Sequence, residues 1–390
     1  MKLKQQLSLS TVAFMMLFEN TLNANAIKQS NQSIKIDANI KAMYLSQSND
    51  DKSKNTNSAI GGSLGIGYNI NDNIKLYTKA YTTNRLQSKN PNGTGTGLFD
   101  ADDDSYSIIG EANINIKYAN STLEMGRLRV DTPYINDDDI RMIPNLFEAV
   151  VFSNNSYQNI TFQGGYISRW SGVDTPNPSK YEDLVDGKSI KYLSTIYDVN
   201  QNIQTSLWYF DIPKTATIVY SENSISIDNM SLGVQLSNLS EKSNSGVDGN
   251  VVGLSGEISM DKITLNLALN QTFNDDDKSV TNGFGGGAYY TSMDEITIDG
   301  LTDVLAYTVG AGYKATDKLQ ISYLYGNFKE NDSSSNSNLD KYEESDVVLE
   351  YSYNDKLDIN LIYTDVKHTL NHAKQDDSFD RTQVYVDYDF

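Results

Sequence analysis

The chain has 390 residues, a formal net charge of −20, no cysteine and a mean hydropathy of −0.47. Those values exclude a bundle of membrane-spanning helices, disulfide staples and thiol chemistry, and the acidic surplus argues against nucleic acid, which is bound through basic patches. A polar average is still compatible with a membrane barrel, because about half of each strand faces water.

In chain order, Met1-Lys2-Leu3-Lys4 gives a basic start, an apolar run follows from Leu7 to Phe18, and Ala24-Asn25-Ala26 supplies a small-x-small cleavage site. This is the pattern of a secretory signal peptide. Residues 1–26 are therefore expected to be removed and 27–390 to form one domain. Glu19 sits between the apolar run and the cleavage site and blurs the exact cut.

The rest alternates. Ile34, Ile36, Ala38, Ile40 and Tyr44 are interleaved with Lys35, Asp37, Asn39 and Lys41. The same period of two phases Ile263 to Leu269, Leu319 to Tyr325, Leu357 to Tyr363 and the final Thr382 to Phe390. Any one of these would also suit an edge strand of a soluble sandwich; their repetition behind an export leader favours a barrel with lipid outside and water inside.

Short turns, such as those at Asn71-Asp72-Asn73, Asn120-Ser121, Asp228-Asn229, Asp261-Lys262, Thr316-Asp317 and Asn354-Asp355, alternate with longer polar segments. The longer segments lie near 47–58, 85–104, 130–144, 170–187, 240–248, 273–302, 329–342 and 368–378. With a tight external link at Asp211-Ile212-Pro213-Lys214, the count reaches about 18 strands, an even number that puts both termini on the periplasmic side. The expected fold is thus an all-β, antiparallel, up-and-down transmembrane barrel.

The segment from Gly126 to Asn145 differs from the other loops: it mixes apolar residues, two prolines and both charge signs, as a loop that packs against the lumen would. Together with Phe147-Glu148 and Arg169-Trp170-Ser171-Gly172-Val173-Asp174, it resembles the Opr (OprD-like) porins of epsilonproteobacteria. The resemblance implies an 18-stranded barrel narrowed by an inward-folded third loop. It would make Asp131 to Asn145 the constriction and place Arg127 and Arg169 on the wall beside it.

Opposed charges across a narrow aqueous gap sort ions and orient dipolar solutes. The candidate constriction residues are Asp131, Asp137, Asp138, Asp139, Arg141 and Glu148, and the candidate basic wall residues are Arg127, Arg129 and Arg169. Alternation places Arg169 inward, opposite Ile160, Phe162 and Tyr166, and leaves Arg127 open because Leu123 and Met125 share its parity. The competing reading is that these arginines only pair with the aspartates and pin the loop. Alternation also points Lys35, Lys41, Lys75, Lys79, Lys117, Glu111, Glu257, Asp346 and Glu350 into the lumen. That is a mixed wall, where OprD-like channels for carboxylates rely on a basic ladder.

Other motifs carry less. The acidic triplets 102–104 and 275–277 lack the oxygen spacing of a calcium loop and read as solvated surface, or as weak cation bridges to lipopolysaccharide. Gly285-Gly286-Gly287 and the Asn92 to Gly97 run lack the Gly-Lys-Ser/Thr of a phosphate loop. His368 and His372 have no marked nucleophile or carboxylate partner, so no enzyme activity and no cofactor are expected. The reading is an outer-membrane porin passing small hydrophilic solutes and leaning toward cations, in contact with outer-membrane lipid and in a homotrimer if it follows general porins. Its rivals are a specific channel for small acids or amino acids, and a barrel serving mainly as a surface adhesin.

Overall fold

The computed structural model describes residues 34–51, 53–87, 96–275, 278–331, 340–370, 373–374 and 377–390. The expected leader, residues 92–95 of the glycine run, Asp276, Asp277 and His372 lie outside them.

The described residues form twenty strands. They are β1 Ile34–Asn49, β2 Lys54–Asn71, β3 Ile74–Arg85, β4 Tyr106–Tyr118, β5 Ser121–Leu128, β6 Leu146–Tyr157 and β7 Ile160–Ser171. A two-residue β8, Glu182–Asp183, precedes β9 Ile190–Asn200, β10 Ile203–Ile212, β11 Ala216–Ile227, β12 Met230–Glu241, β13 Gly249–Met260 and β14 Ile263–Phe273. Then come β15 Val304–Lys314, β16 Leu319–Glu330, β17 Asp340–Asn354, β18 Leu357–Leu370, the two-residue β19 Ala373–Lys374, and β20 Phe379–Asp389.

Leaving out β8 and β19, each strand pairs antiparallel with the next, β7 with β9 and β18 with β20. The last strand then returns to the first, from Asn39↔Asp389 to Asn49↔Phe379. The result is a closed eighteen-stranded barrel, which satisfies every backbone ladder and leaves no edge in lipid. Outward positions carry the apolar residues: Ile36 and Ile40 on β1, Leu64 and Ile66 on β2, Leu265 and Leu267 on β14 are all exposed.

Turns on one rim are short, and single residues such as Ala119 (φ 49°), Asp228 (φ 51°) and Asp261 (φ 51°) take the left-handed conformation that tight hairpins require. Two more such turns, Gln158-Asn159 and Gln201-Asn202, complete that rim. The first external connection is shorter than the expected 47–58, because polar residues continue the ladder: Ser46 pairs with Thr56, their hydroxyls 3.1 Å apart.

The core lies inside the barrel. Buried residues of 129–145 and 278–303 pack on the inner faces of β6, β7, β9 to β13, β15 and β16. Tyr134 is fully buried with its ring edge-on to Phe210, Tyr220 and Tyr289, at 5.4, 5.8 and 6.1 Å between centroids.

Candidate functional site

Strand β5 stops at Leu128, and the chain turns inward there: Leu128 and Val130 are buried in the lumenal core. Thr132 and Ile135 close a tight turn, with the Thr132 amide donating to the Ile135 carbonyl at 2.8 Å. That turn delivers Tyr134 across the lumen, where its hydroxyl lies 2.6 Å from Ser237 Oγ on β12 and 3.1 Å from the Tyr289 hydroxyl. The Asn145 amide donating to the Asp137 carbonyl at 2.6 Å closes the base of the loop.

On the far side the loop is tied to β1 and β20. Lys41 Nζ donates to Asp139 Oδ1 at 3.1 Å and to the Arg141 carbonyl at 3.2 Å. The Tyr385 hydroxyl accepts from Arg141 Nη1 at 3.3 Å and donates to the Ile140 carbonyl at 2.9 Å. Within the loop, Arg129 binds Asp137 Oδ2 at 2.6 Å and Asp139 Oδ2 at 3.3 Å. Burial opposes the Arg129 charge, but Asp139 and Asp137 outweigh it and hold the guanidinium above its ordinary value. Burial raises the Asp137 carboxyl against the pull of Arg129, and Asp131 beside it is exposed to the lumen.

Asp138 behaves differently. Burial first, then the adjoining Asp174 carboxyl, push it well above the carboxylate range, and burial raises Asp174 as well. Asp174 also accepts from Asn145 Nδ2 at 2.6 Å. A carboxyl raised in the folded state supports the fold while protonated, and that support fades as the pH rises through its raised value. Channel noise is therefore expected to grow as the pH is raised in a planar bilayer, when both carboxylates ionise and repel. In Asp138→Asn the growth should vanish; an unaltered titration would clear this pair of the role.

A second loop, which the sequence reading left outside as 273–302, also folds inward. Gln235 on β12 donates to the Ala288 carbonyl at 2.8 Å and accepts from the Tyr290 amide at 3.1 Å, and Asn270 on β14 accepts from the Thr291 amide at 3.0 Å. Glu344 on β17 accepts from the Glu295 and Ile296 amides at 3.0 and 2.7 Å. Gln383 on β20 donates to Asp294 at 2.6 Å. Glu295 pairs with Arg141 at 3.5 Å and with Arg381 on β20. The two loops join directly: the Asn136 amide donates to the Phe284 carbonyl and the Phe284 amide to the Tyr134 carbonyl, both at 2.9 Å. Gly283 (φ +82°) makes this approach feasible, since a Cβ there would lie 2.3 Å from the Tyr134 carbonyl oxygen.

Of the residues singled out in the sequence, Asp131, Asp137, Asp138, Asp139, Arg129 and Arg141 are brought together inside the barrel. Arg127, Glu148 and Arg169 are not, which corrects the expected wall and constriction. Arg127 pairs with outward Ala112 and with Glu148, in the same row sense as Met125 beside Val150, and Glu148 pairs with Arg169. Trp170 and Phe147 take the opposite, inner face, stacked together, with Trp170 also edge-on to Phe284. The register shift between Glu148 and Ala149, opposite Ser168, is the cause: one extra residue flips Arg169 to the lipid side after Tyr166.

Below the crossing, a cavity of about 590 Å³ is lined by Lys35, Lys75, Lys117, Tyr77, Glu111 and Glu124, among others. Lys79 pairs with Asp37 at 3.0 Å. The adjoining arc carries acids: Asp358 and Asp387 are register partners, and Asp389 lies two residues further along the same face. The wall is mixed in sign, as alternation implied. His368 is held between Asp340 at 2.8 Å and Asp377 at 2.7 Å and stacks on Tyr342, a clip between strands at the external rim.

Residues 60–390 match the family described as outer membrane porin, OprD family. No curated protein sequence matches the chain. Among solved structures, Pseudomonas aeruginosa OccK9 (OpdG) is similar at a TM-score of 0.75 and 17% identity, over 92% of this chain and 98% of that one. P. aeruginosa OpdK, solved with vanillate, aligns at 0.74 and 18%, over 92% and 98%. Acinetobacter baumannii OccAB3 aligns at 0.75 and 15%, over 92% and 99%. The inward-folded loop, the closed barrel and the family match lead to one conclusion: the chain belongs to the OprD family of outer-membrane porins.

Proposed function

We propose that this porin is a narrow, solute-selective channel whose constriction is built jointly by residues 129–145 and 278–303. The observation that carries the reading is the doubly braced crossing, with Tyr134 anchored to Ser237 and Tyr289 on one side and Lys41 and Tyr385 holding the loop on the other. A wide diffusion pore needs an open lumen, and here a second loop occupies the space behind the first. Asp137 and Asp139 are paired rather than free, so the crossing presents both signs at once. Lysines on β1, β3 and β4 beside acids on β18 and β20 extend that pattern below it.

Paired fields of this kind suit small solutes bearing charge of both signs, amino acids first and small acids second. Among simple ions, the net charge of −20 and lumen-open Asp131 favour cations. The narrower likeness to epsilonproteobacterial members rests on the words between Gly126 and Asp174. Passage is passive, with no catalytic step and no cofactor, and residues 27–390 act as one domain after export.

The test pairs planar-bilayer recordings under a KCl gradient with liposome uptake of amino acids and of an uncharged solute of equal size. Small steps, a cation-side reversal and uptake that amino acids compete for are expected. Large ohmic steps, with the uncharged solute entering as fast, would return the wide general-diffusion pore.

A further inference from the structure

The outer face of β4 to β9 carries charged residues that the lumenal function does not use. Tyr166 on β7 and Tyr209 on β10 are exposed toward lipid. Lys191 on β9 lies beside Tyr166, and Arg127, Glu148 and Arg169 follow on the external side of that level. Arginine and lysine on a lipid-facing strand are costly at the bilayer midplane and are tolerated at the interface, with acids costing less at either level. Four charges in adjoining rows next to an aromatic belt therefore mark the headgroup level of the outer leaflet.

The cluster is fixed in place. Arg127 Nε binds Glu148 Oε1 at 3.1 Å, Arg127 Nη1 donates to the Ile109 carbonyl at 3.2 Å, and its guanidinium lies 4.4 Å over the Tyr181 ring. Arg169 binds the other Glu148 oxygen at 3.4 Å and donates to the Tyr181 carbonyl. The Tyr181 hydroxyl in turn donates to the Gly110 carbonyl at 2.6 Å. Two guanidiniums thus share one carboxylate, with Asp183 3.8 Å from Arg169 at the edge. Beside them an outward-opening furrow of about 420 Å³ runs along Ala112, Val150, Tyr166 and Ser168. In a chain with 31 basic against 51 acidic residues, a prearranged pair of arginines over an apolar furrow runs against the overall charge.

We propose that this furrow binds a phosphorylated, acylated lipid of the outer leaflet, with its phosphate on Arg127 and Arg169 and an acyl chain along Ala112, Val150 and Tyr166. Planar guanidiniums match phosphate oxygens two at a time, and the apolar furrow below takes hydrocarbon. Glu148 then acts as the internal competitor that keeps the arginines in place when the lipid is absent. The site rests on outer-membrane placement alone and not on which solute passes the lumen.

The test is native mass spectrometry of the full chain in mild detergent with added bis-phosphorylated lipid A or the same lipid dephosphorylated. Retention of the phosphorylated form is expected to exceed that of the other at least tenfold, to collapse in Arg127→Gln/Arg169→Gln and to rise in Glu148→Gln. Conductance should stay unchanged in all variants, because these side chains face away from the lumen. Equal retention of both lipids, retention by the double variant, or a lipid-free oligomer that shields the furrow would overturn the proposal. If the double variant does not fold, Glu148→Gln decides: unchanged or weaker retention counts against it.

Discussion

Tyr134→Ala is expected to raise single-channel conductance and current noise more than any other single substitution in the lumen. The side chain is fully buried and belongs to neither strand nor rim: it is the point where 129–145, 278–303 and β12 meet. Truncating a buried aromatic typically costs about 3–5 kcal/mol, through lost burial and the cavity left behind. Here the loss falls on the inward fold of two loops, while the strand ladders stay intact. The variant should keep the wild-type barrel signature in circular dichroism and its heat resistance in detergent. An open, noisy channel with an unaltered barrel is the expected pair of results. Unchanged conductance would mean that the crossing does not limit flow.

Arg129→Gln is expected to give the largest change in ion preference. Arg129 balances Asp137 and Asp139 together, and without it Lys41 still faces Asp139 while Asp137 loses its guanidinium. Losing the guanidinium adds one net negative charge at the crossing. A unit charge about 10 Å from the ion path, in a mostly aqueous dielectric, shifts an ion's energy by roughly 0.6 kcal/mol, a factor of about 2–3 for each ion sign. The reversal potential under a KCl gradient should move to the cation side accordingly. The shift should grow with pH, because burial raises Asp137 and the carboxyl must lose its proton to contribute. A reversal potential that does not move would put the ion path elsewhere in the lumen. Asp138→Asn should move it less, since burial and the adjoining Asp174 push that carboxyl well above its ordinary value.

The barrel was legible because alternation is a property of every strand, and runs such as Ile34 to Tyr44 or Leu357 to Tyr363 kept one phase to the turn. The strand count followed from the turns even though Gln158-Asn159 and Gln201-Asn202 lack a strong turn signature. Arg169 was misplaced because counting by twos assumes an unbroken ladder, and a single bulge residue at Ser168 reverses every later side chain. The inward course of 278–303 was missed because its glycines and acids dilute the signal. Tyr289, Tyr290, Met293, Ile296, Ile298 and Leu301 supply the same apolar content that set 126–145 apart. The pairing of Asp137 and Asp139 with Arg129 could be named as an alternative from sequence, yet only the fold of the loop decides it.

The seam between β1 and β20 has a bearing on assembly. Every other ladder joins strands that are neighbours along the chain, but this one joins groups 348 residues apart, as in the bond from Asn39 to Asp387. Hairpins can zip one after another as soon as they are made, whereas the seam must bring the two ends together and pays the full loop-closure entropy at once. Until Phe379–Asp389 meets Asn39–Asn49, two rows of unpaired amides and carbonyls remain, and hydrocarbon cannot solvate them. Entry into the membrane and closure of the ring are therefore one cooperative event, and a partly paired sheet has no stable place in the bilayer.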